Sequence, residues 1–156
     1  MPTAPEEQSL AVQIRSAGAR VTRPRLIVLA LLHEVGGHQS ADDLLDILRK
    51  RGPPLPRASI YNALNDLSGY GLVMRVDAGP GRALYESSAN WHHHFVCRDC
   101  NAILDVPCSV GSKPCMIPDV EGLHADEAQV IFRGLCPFAT PTPSVALGAK
   151  PDCCRK

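Results

Sequence analysis

Apolar positions recur with a helical period over the first half of the chain and with a strand period over the second. Leu10, Val12, Ile14 and Ala17 predict a short first helix from Leu10 to Ala17, closed by Gly18, after an irregular start at residues 1 to 8. Thr22 reads as the cap of a second helix, with Pro24 in its first turn and Leu26, Ile27, Leu29, Ala30 and Leu31 on the buried face. Ser40 caps a third helix over Ala41 to Arg49. Asp43 stands in a capping-box relation to Ser40, and Leu44, Leu45, Ile47 and Leu48 point inward. After the break at Gly52, Pro53 and Pro54, the residues Ile60, Ala63, Leu64 and Leu67 fall at i, i+3, i+4 and i+7, predicting a fourth helix from Arg57 to Ser68.

The period then shortens. Leu72 to Val76 and Arg82 to Glu86 read as two strands joined by a turn-rich tip, Asp77 to Gly81. Further strands are predicted at His92 to Cys97, Ala102 to Val106 and Ala128 to Arg133. Residues 107 to 121, which hold Pro107, Pro114 and Pro118, are too interrupted for a long helix, and the tail from Pro137 reads as irregular. Compact helices followed by a hairpin are the order of a winged helix-turn-helix. The fold class is therefore α/β of the α+β kind. Residues 1–88 are expected to form a winged-helix DNA-binding domain, unless the polar face of its fourth helix is only solvated, and residues 89–156 a small α/β dimerisation and metal-binding domain with an irregular tail. A sheet of such short strands has little helix to cover its apolar face, so a second copy is the expected cover.

In a winged helix the segment from Arg57 to Ser68 is the one that enters the major groove. Its outward candidates are Arg57, Ala58, Ser59, Tyr61, Asn62 and Asn65, and an asparagine can meet adenine through two hydrogen bonds. Net charge is zero, with 16 basic and 16 acidic residues, which removes any general attraction to polyanions. Locally the balance differs: residues 10 to 25 carry Arg15, Arg20, Arg23 and Arg25 and no acid. No apolar run approaches the ~18 residues of a membrane span. The first residues, Met1 to Glu7, have neither a basic nor an apolar leader region, so a cytoplasmic chain is expected.

Seven cysteines, at 97, 100, 108, 115, 136, 153 and 154, crowd the C-terminal part. An odd, clustered set without a leader favours metal or thiol chemistry over a disulfide scaffold. Directly before Cys97 and Cys100 stand His92, His93 and His94. If that run is extended, His92 and His94 share one face with Val96, while His93 and Cys97 share the other. One face thus offers imidazoles and the next turn offers two thiols. No set of nucleophile, base and orienting group stands out, so an enzyme is not expected. A small thiol- or metal-handling redox protein is the alternative reading of the cysteines.

Several motifs together resemble the ferric uptake regulator family of bacterial metalloregulators, in particular its actinobacterial branch associated with catalase-peroxidase control. They are the basic winged helix, the helix running from Arg57 through Tyr61 to Leu64, the hairpin ending in Tyr85 and Glu86, the run from His92 to Cys100, and Gly134 to Pro137. The resemblance implies a homodimeric, metal-dependent repressor of palindromic operator DNA that senses iron or peroxide and controls iron-homeostasis or oxidative-stress genes. It implies regulatory ligands at His38, Glu86, His92, His94 and Asp105, holding Fe(II) or Mn(II), and structural zinc on Cys97, Cys100 and Cys136. Zn(II) is possible at either site. It also implies that peroxide oxygenates His38 or His92 when Fe(II) is bound. The chain departs from the family pattern where a second CxxC pair would end, at Ala139. It departs again where a second metal site of many relatives would lie, at Trp91, His93 and Ala128, so that site is expected to be absent or rebuilt. His93 is left with no assigned partner, and Cys108 and Cys115 are candidates for a disulfide or redox pair. Asn62 stands where many relatives carry arginine.

Overall fold

The computed structural model describes residues 4–77, 83–87 and 91–137, and the chain divides into two units, Met1–Ala89 and Asn90–Lys156. The first unit holds α1 (Ala4–Ser16), α2 (Arg23–Val35), β1 (Gln39–Ser40), α3 (Ala41–Arg51), α4 (Arg57–Gly69), β2 (Val73–Asp77) and β3 (Ala83–Ser87). Its core is one hydrocarbon cluster around Ile14, Leu29, Leu32, Leu44, Ile60 and Leu64. All four apolar positions that predict α4 are buried there, which leaves the polar face of that helix outward.

Differences from expectation have local causes. Helix α1 begins at Ala4, so residues 4 to 8 are helical; Glu6 and Glu7 lie in the first turn, where carboxylates favour the positive end of the helix dipole. Its buried face is Leu10, Ala11 and Ile14, and Val12 is exposed. In α2 the buried face turns toward Val28 and Leu32, while Leu26 and Ile27 are only partly covered. Thr22 occupies the cap position of α2 but its side chain makes no capping hydrogen bond; the proline in the first turn removes one of the donors it would have served. The capping box of α3 is complete, with the Asp43 amide donating to Ser40 Oγ at 3.1 Å and the Ser40 amide donating to Asp43 Oδ2 at 2.9 Å. Helix α3 runs on to Arg51.

The wing strands pair antiparallel, with Met74 opposite Glu86. Strand β1 is too short to show a period in sequence, yet it adds to the other side of β3 with Gln39 opposite Tyr85. The sheet order is β1-β3-β2. The tip at 78–82 and the tail from 138 lie outside the described residues.

In the second unit β4 (His92–Cys97) is central. It is flanked by β5 (Ile103–Pro107), antiparallel, and by β6 (Ile131–Gly134), parallel. Strand β6 starts at Ile131 rather than Ala128, and the residues before it stay irregular. A Cβ on Gly134 would stand 3.2 Å from the Phe95 ring, so the close approach of β6 to β4 depends on this glycine. The buried cluster is small: Cys97, Ala102 and Cys136, with Phe95, Cys100 and Leu104 packed against it. Ile117 is 80% exposed, and Phe132 and Leu135 are also exposed.

Stability should follow this division of labour. In urea unfolding, Ser40→Ala is expected to cost about 1 kcal/mol through loss of the cap. Leu64→Ala, at a fully buried position, should cost ~2–5 kcal/mol. Asn65→Ala, on the exposed face of the same helix, should stay within about 0.5 kcal/mol of the unmodified chain.

Candidate metal centres and nucleic-acid face

Two consecutive glycines after α2, Gly36 and Gly37, have φ of 65° and 58°, a backbone region that other residues enter only at a cost. They turn the chain into β1 and deliver His38 beside the end of β3. There His38 Nε2 lies 3.3 Å from Glu86 Oε2, with the two side chains 11% and 7% exposed. A carboxylate buried to that degree needs a partner, and the imidazole is one.

In the second unit the period of two operates on β4. His92 and His94 stack edge-on with ring centroids 4.8 Å apart, and the register sets Asp105 directly opposite His94. His92 Nε2 is 3.6 Å from Asp105 Oδ1. His94 is 2% exposed. The two halves of the predicted regulatory set, His38 with Glu86 and His92 and His94 with Asp105, are thus each assembled within their own unit. Both offer nitrogen and carboxylate oxygen and no sulfur, a donor chemistry that fits Fe(II), Mn(II) or Zn(II).

Sulfur is gathered elsewhere. Cys97, Cys100 and Cys136 place their Sγ atoms within 4.8 Å of one another, with Cys100 and Cys136 at 3.8 Å. The turn after β4 closes through Asn101, whose amide donates to the Cys97 carbonyl at 3.0 Å and whose φ is 55°. The Cys136 amide donates to Cys97 Sγ at 3.4 Å. The amide of Cys100 and then that of Cys136 outweigh the opposing effect of burial and bring the Cys97 thiol down to about 6. Three converging sulfurs, one readily ionised, fit a structural zinc. Ala139, where the second CxxC pair would end, lies outside the described residues, as do Cys153 and Cys154.

A third group was not legible in the sequence. His93 points to the other face of β4, and Cys115 Sγ sits 3.5 Å from its Nε2. Cys108 completes the group, with all three ligand atoms within 4.8 Å of one another. Cys108 and Cys115 are free thiols, so the disulfide expected as one option for them is not formed. Burial by itself would raise the Cys108 thiol, but the amides of Gly111 and Val110 and the Cys115 thiol bring it below its ordinary value. The β4–β5 pairing brings Cys108 near His93, but Cys115 lies in an irregular stretch whose course no sequence pattern sets. His33 and His124 are exposed and belong to none of the three groups.

On the nucleic-acid side, Arg57, Tyr61, Asn62 and Asn65 are exposed along α4 and Ser59 is half-buried. Arg57 is held by Asp42 at 3.0 Å and lies over the Tyr61 ring, 5.6 Å from its centroid. Arg15, Arg20 and Arg23 are exposed. Arg25 differs from them. Its guanidinium donates to Asp66 Oδ2 from Nε at 3.2 Å and from Nη2 at 2.6 Å, and to the Arg20 carbonyl from Nη1. Its side chain is 16% exposed, so its charge is engaged in tying α2 to α4.

The sequence pattern of the ferric uptake regulator family matches residues 16–128. The transcriptional regulator FurA of Mycobacterium tuberculosis is 42% identical over 131 residues, spanning 81% of this chain and 87% of that protein. Among solved structures, the ferric uptake regulator of Pseudomonas aeruginosa with manganese superposes with a TM-score of 0.64 at 24% identity, covering 82% of this chain and 98% of that one. A zinc uptake regulator complexed with zinc and DNA gives a TM-score of 0.56 at 25% identity, covering 87% and 95%. No helix among the described residues is long and apolar enough to cross a membrane.

The shifted thiol gives a pH signature in reduced, metal-free protein. Because Cys97 ionises at about 6 when folded and at 9.0 ordinarily, its contribution to stability is fully present above the ordinary value. That contribution declines as pH falls and is lost on passing below the folded value. Thiolate ultraviolet absorbance should therefore show a step near pH 6 that is missing in Cys97→Ala. A titration with every thiol near its ordinary value would reject the arrangement.

Proposed function

The chain belongs to the ferric uptake regulator family of metal-dependent, DNA-binding transcriptional regulators, and from that premise we propose that it is a homodimeric repressor. Its operator binding is switched by one divalent ion held on His38, Glu86, His92, His94 and Asp105. The observation that carries this is the assembly of the two donor sets, at 3.3 Å in the first unit and 3.6 Å in the second. Residues 1–88 read the DNA and residues 89–156 dimerise, in the cytoplasm.

Each residue has a stated task. Asn62 and Asn65 offer amides to base edges, and Ser59 and Tyr61 offer hydroxyls. Arg57 and the exposed Arg15, Arg20 and Arg23 meet phosphates, which set register and affinity. Arg25 acts one step back, holding α4 against α2. A two-fold dimer presents two such helices to the two halves of a palindrome. An ion shared by both donor sets links the reading helix to the dimerisation sheet, so operator affinity and ion affinity rise together. Fe(II) in a site without thiolate is open to peroxide oxidation, whereas Mn(II) is not oxidised under the same conditions. On this reading peroxide releases DNA by oxygenating His38 or His92.

A mobility-shift titration on the DNA upstream of the gene itself tests the reading. Binding should need Mn(II) or Fe(II), and the dissociation constant should rise steeply with salt. Asn65→Ala should narrow the gap between operator and random DNA by ~1–3 kcal/mol. Glu86→Ala or His92→Ala should abolish the ion dependence. Equal affinity of the metal-loaded protein for operator and random DNA refutes the repressor assignment. After brief peroxide exposure, mass spectrometry of Fe(II)-loaded protein should show one added oxygen on His38 or His92, absent from the Mn(II) form. Release of DNA from both forms alike removes histidine oxidation as the switch.

A further inference from the structure

We propose that His93, Cys108 and Cys115 form a separate zinc site that pins the long connection after β5 to the central strand β4. Tetrahedral zinc, with Zn–S near 2.3 Å and Zn–N near 2.0 Å, puts bound nitrogen and sulfur about 3.5 Å apart and two sulfurs about 3.8 Å apart. Here Cys115 Sγ lies 3.5 Å from His93 Nε2, and the whole donor set spans no more than 4.8 Å. Small side-chain rotations would close it on one ion. Two thiolates and an imidazole are the donors that zinc accepts most readily, and they leave a fourth position for water or another ligand.

The surroundings are those of a built site. His93 is 9% exposed. Its ring is met edge-on by Trp91 at 5.9 Å and by Phe132 at 6.4 Å, which fixes its orientation and keeps water from it. Its Nδ1 is buried without a hydrogen-bond partner, so the buried imidazole is poorly compensated by protein alone. A metal bond at Nε2 would give the buried ring one strong partner and leave its proton on Nδ1. Cys115 also faces the Ala128 carbonyl at 3.6 Å.

The fold supplies the need. Strand β4 lies between β5 and β6, so the chain must pass from one side of β4 to the other, and from Cys108 to Val130 it does so without helix or strand. Irregular connections longer than about 15 residues are uncommon in compact domains unless something functional holds them. Cys108 stands at the start of this connection and Cys115 within it, while Ala128 brings its far end to the same place. The alternation of β4 turns His93 away from His92 and His94, and the thiols are not those of Cys97, Cys100 and Cys136. The site is therefore distinct from both others, and it stands whether or not the operator reading holds.

The test uses the reduced full-length chain with zinc as the only added ligand. Residue-resolved alkylation, followed by mass spectrometry, should show Cys108 and Cys115 protected together by about tenfold or more when zinc is present. In His93→Ala that joint protection should be lost, while Cys97 and Cys100 stay protected. A Cys108→Ser and Cys115→Ser double variant should bind one zinc fewer per chain than the unmodified protein, and Cys97→Ser should lose a different one. The proposal fails if zinc leaves the alkylation rates of Cys108 and Cys115 unchanged in the unmodified chain. It also fails if protection persists in His93→Ala, or if the double variant keeps its full zinc content.

Discussion

Among the described residues, the buried cluster of the second unit is built on sulfur where most domains of its size would use hydrocarbon. Its buried cluster centres on Cys97 and Cys136, with Ala102 as the one other buried member. Segments this small seldom bury enough apolar surface to fold unaided and usually recruit a metal, a disulfide or a partner chain. Cys97 is the keystone. Its carbonyl closes the turn through Asn101, its amide donates to the Ala102 carbonyl at 2.9 Å, and its sulfur receives the Cys136 amide. Those contacts position the strand that carries all three histidines. A unit with so little hydrocarbon inside and side chains such as Ile117 and Leu135 outside is also one that gains from a second copy, as the family's homodimers do.

Strand β4 then converts sequence adjacency into chemical separation. Three consecutive histidines would compete for one ion on a flexible loop. On a strand, His92 and His94 meet Asp105 across the ladder, and His93 meets Cys115 on the opposite side. One face collects nitrogen and oxygen donors and the other collects nitrogen and sulfur. The two donor sets differ in softness, yet they start only a residue apart in sequence.

The first unit follows a different economy. Its helices close on a continuous apolar core, and α4 is held by that core on one face and by the Arg25–Asp66 pair near its C-terminal end. A cation placed in a run of arginines is thus employed inside the protein. Arg15, Arg20 and Arg23 are left exposed. The same principle makes Gly36 and Gly37 matter. They place His38 next to Glu86, a placement that the helices on either side could not achieve by themselves.

What could be read from sequence was whatever has a short period or a short range. Helix α4 declared itself through Ile60, Ala63, Leu64 and Leu67, the capping box through Ser40 and Asp43, β4 through its alternation, and the family through motifs that lie within a few residues of one another. What escaped depended on distance along the chain or on balance among many weak contacts. The start of α1 turned on two glutamates meeting a helix dipole, and the buried face of α2 on which neighbours it met. Strand β1, two residues long, exists because β3 offers it an edge. Arg25 looks like its neighbours until Asp66, forty-one positions away, is brought beside it. The grouping of His93 with Cys108 and Cys115 is of the same kind. A sequence determines which donors are present and which way a regular element points them, but only the packing of distant segments decides which donors meet, because that choice is set by the lowest free energy of the whole chain.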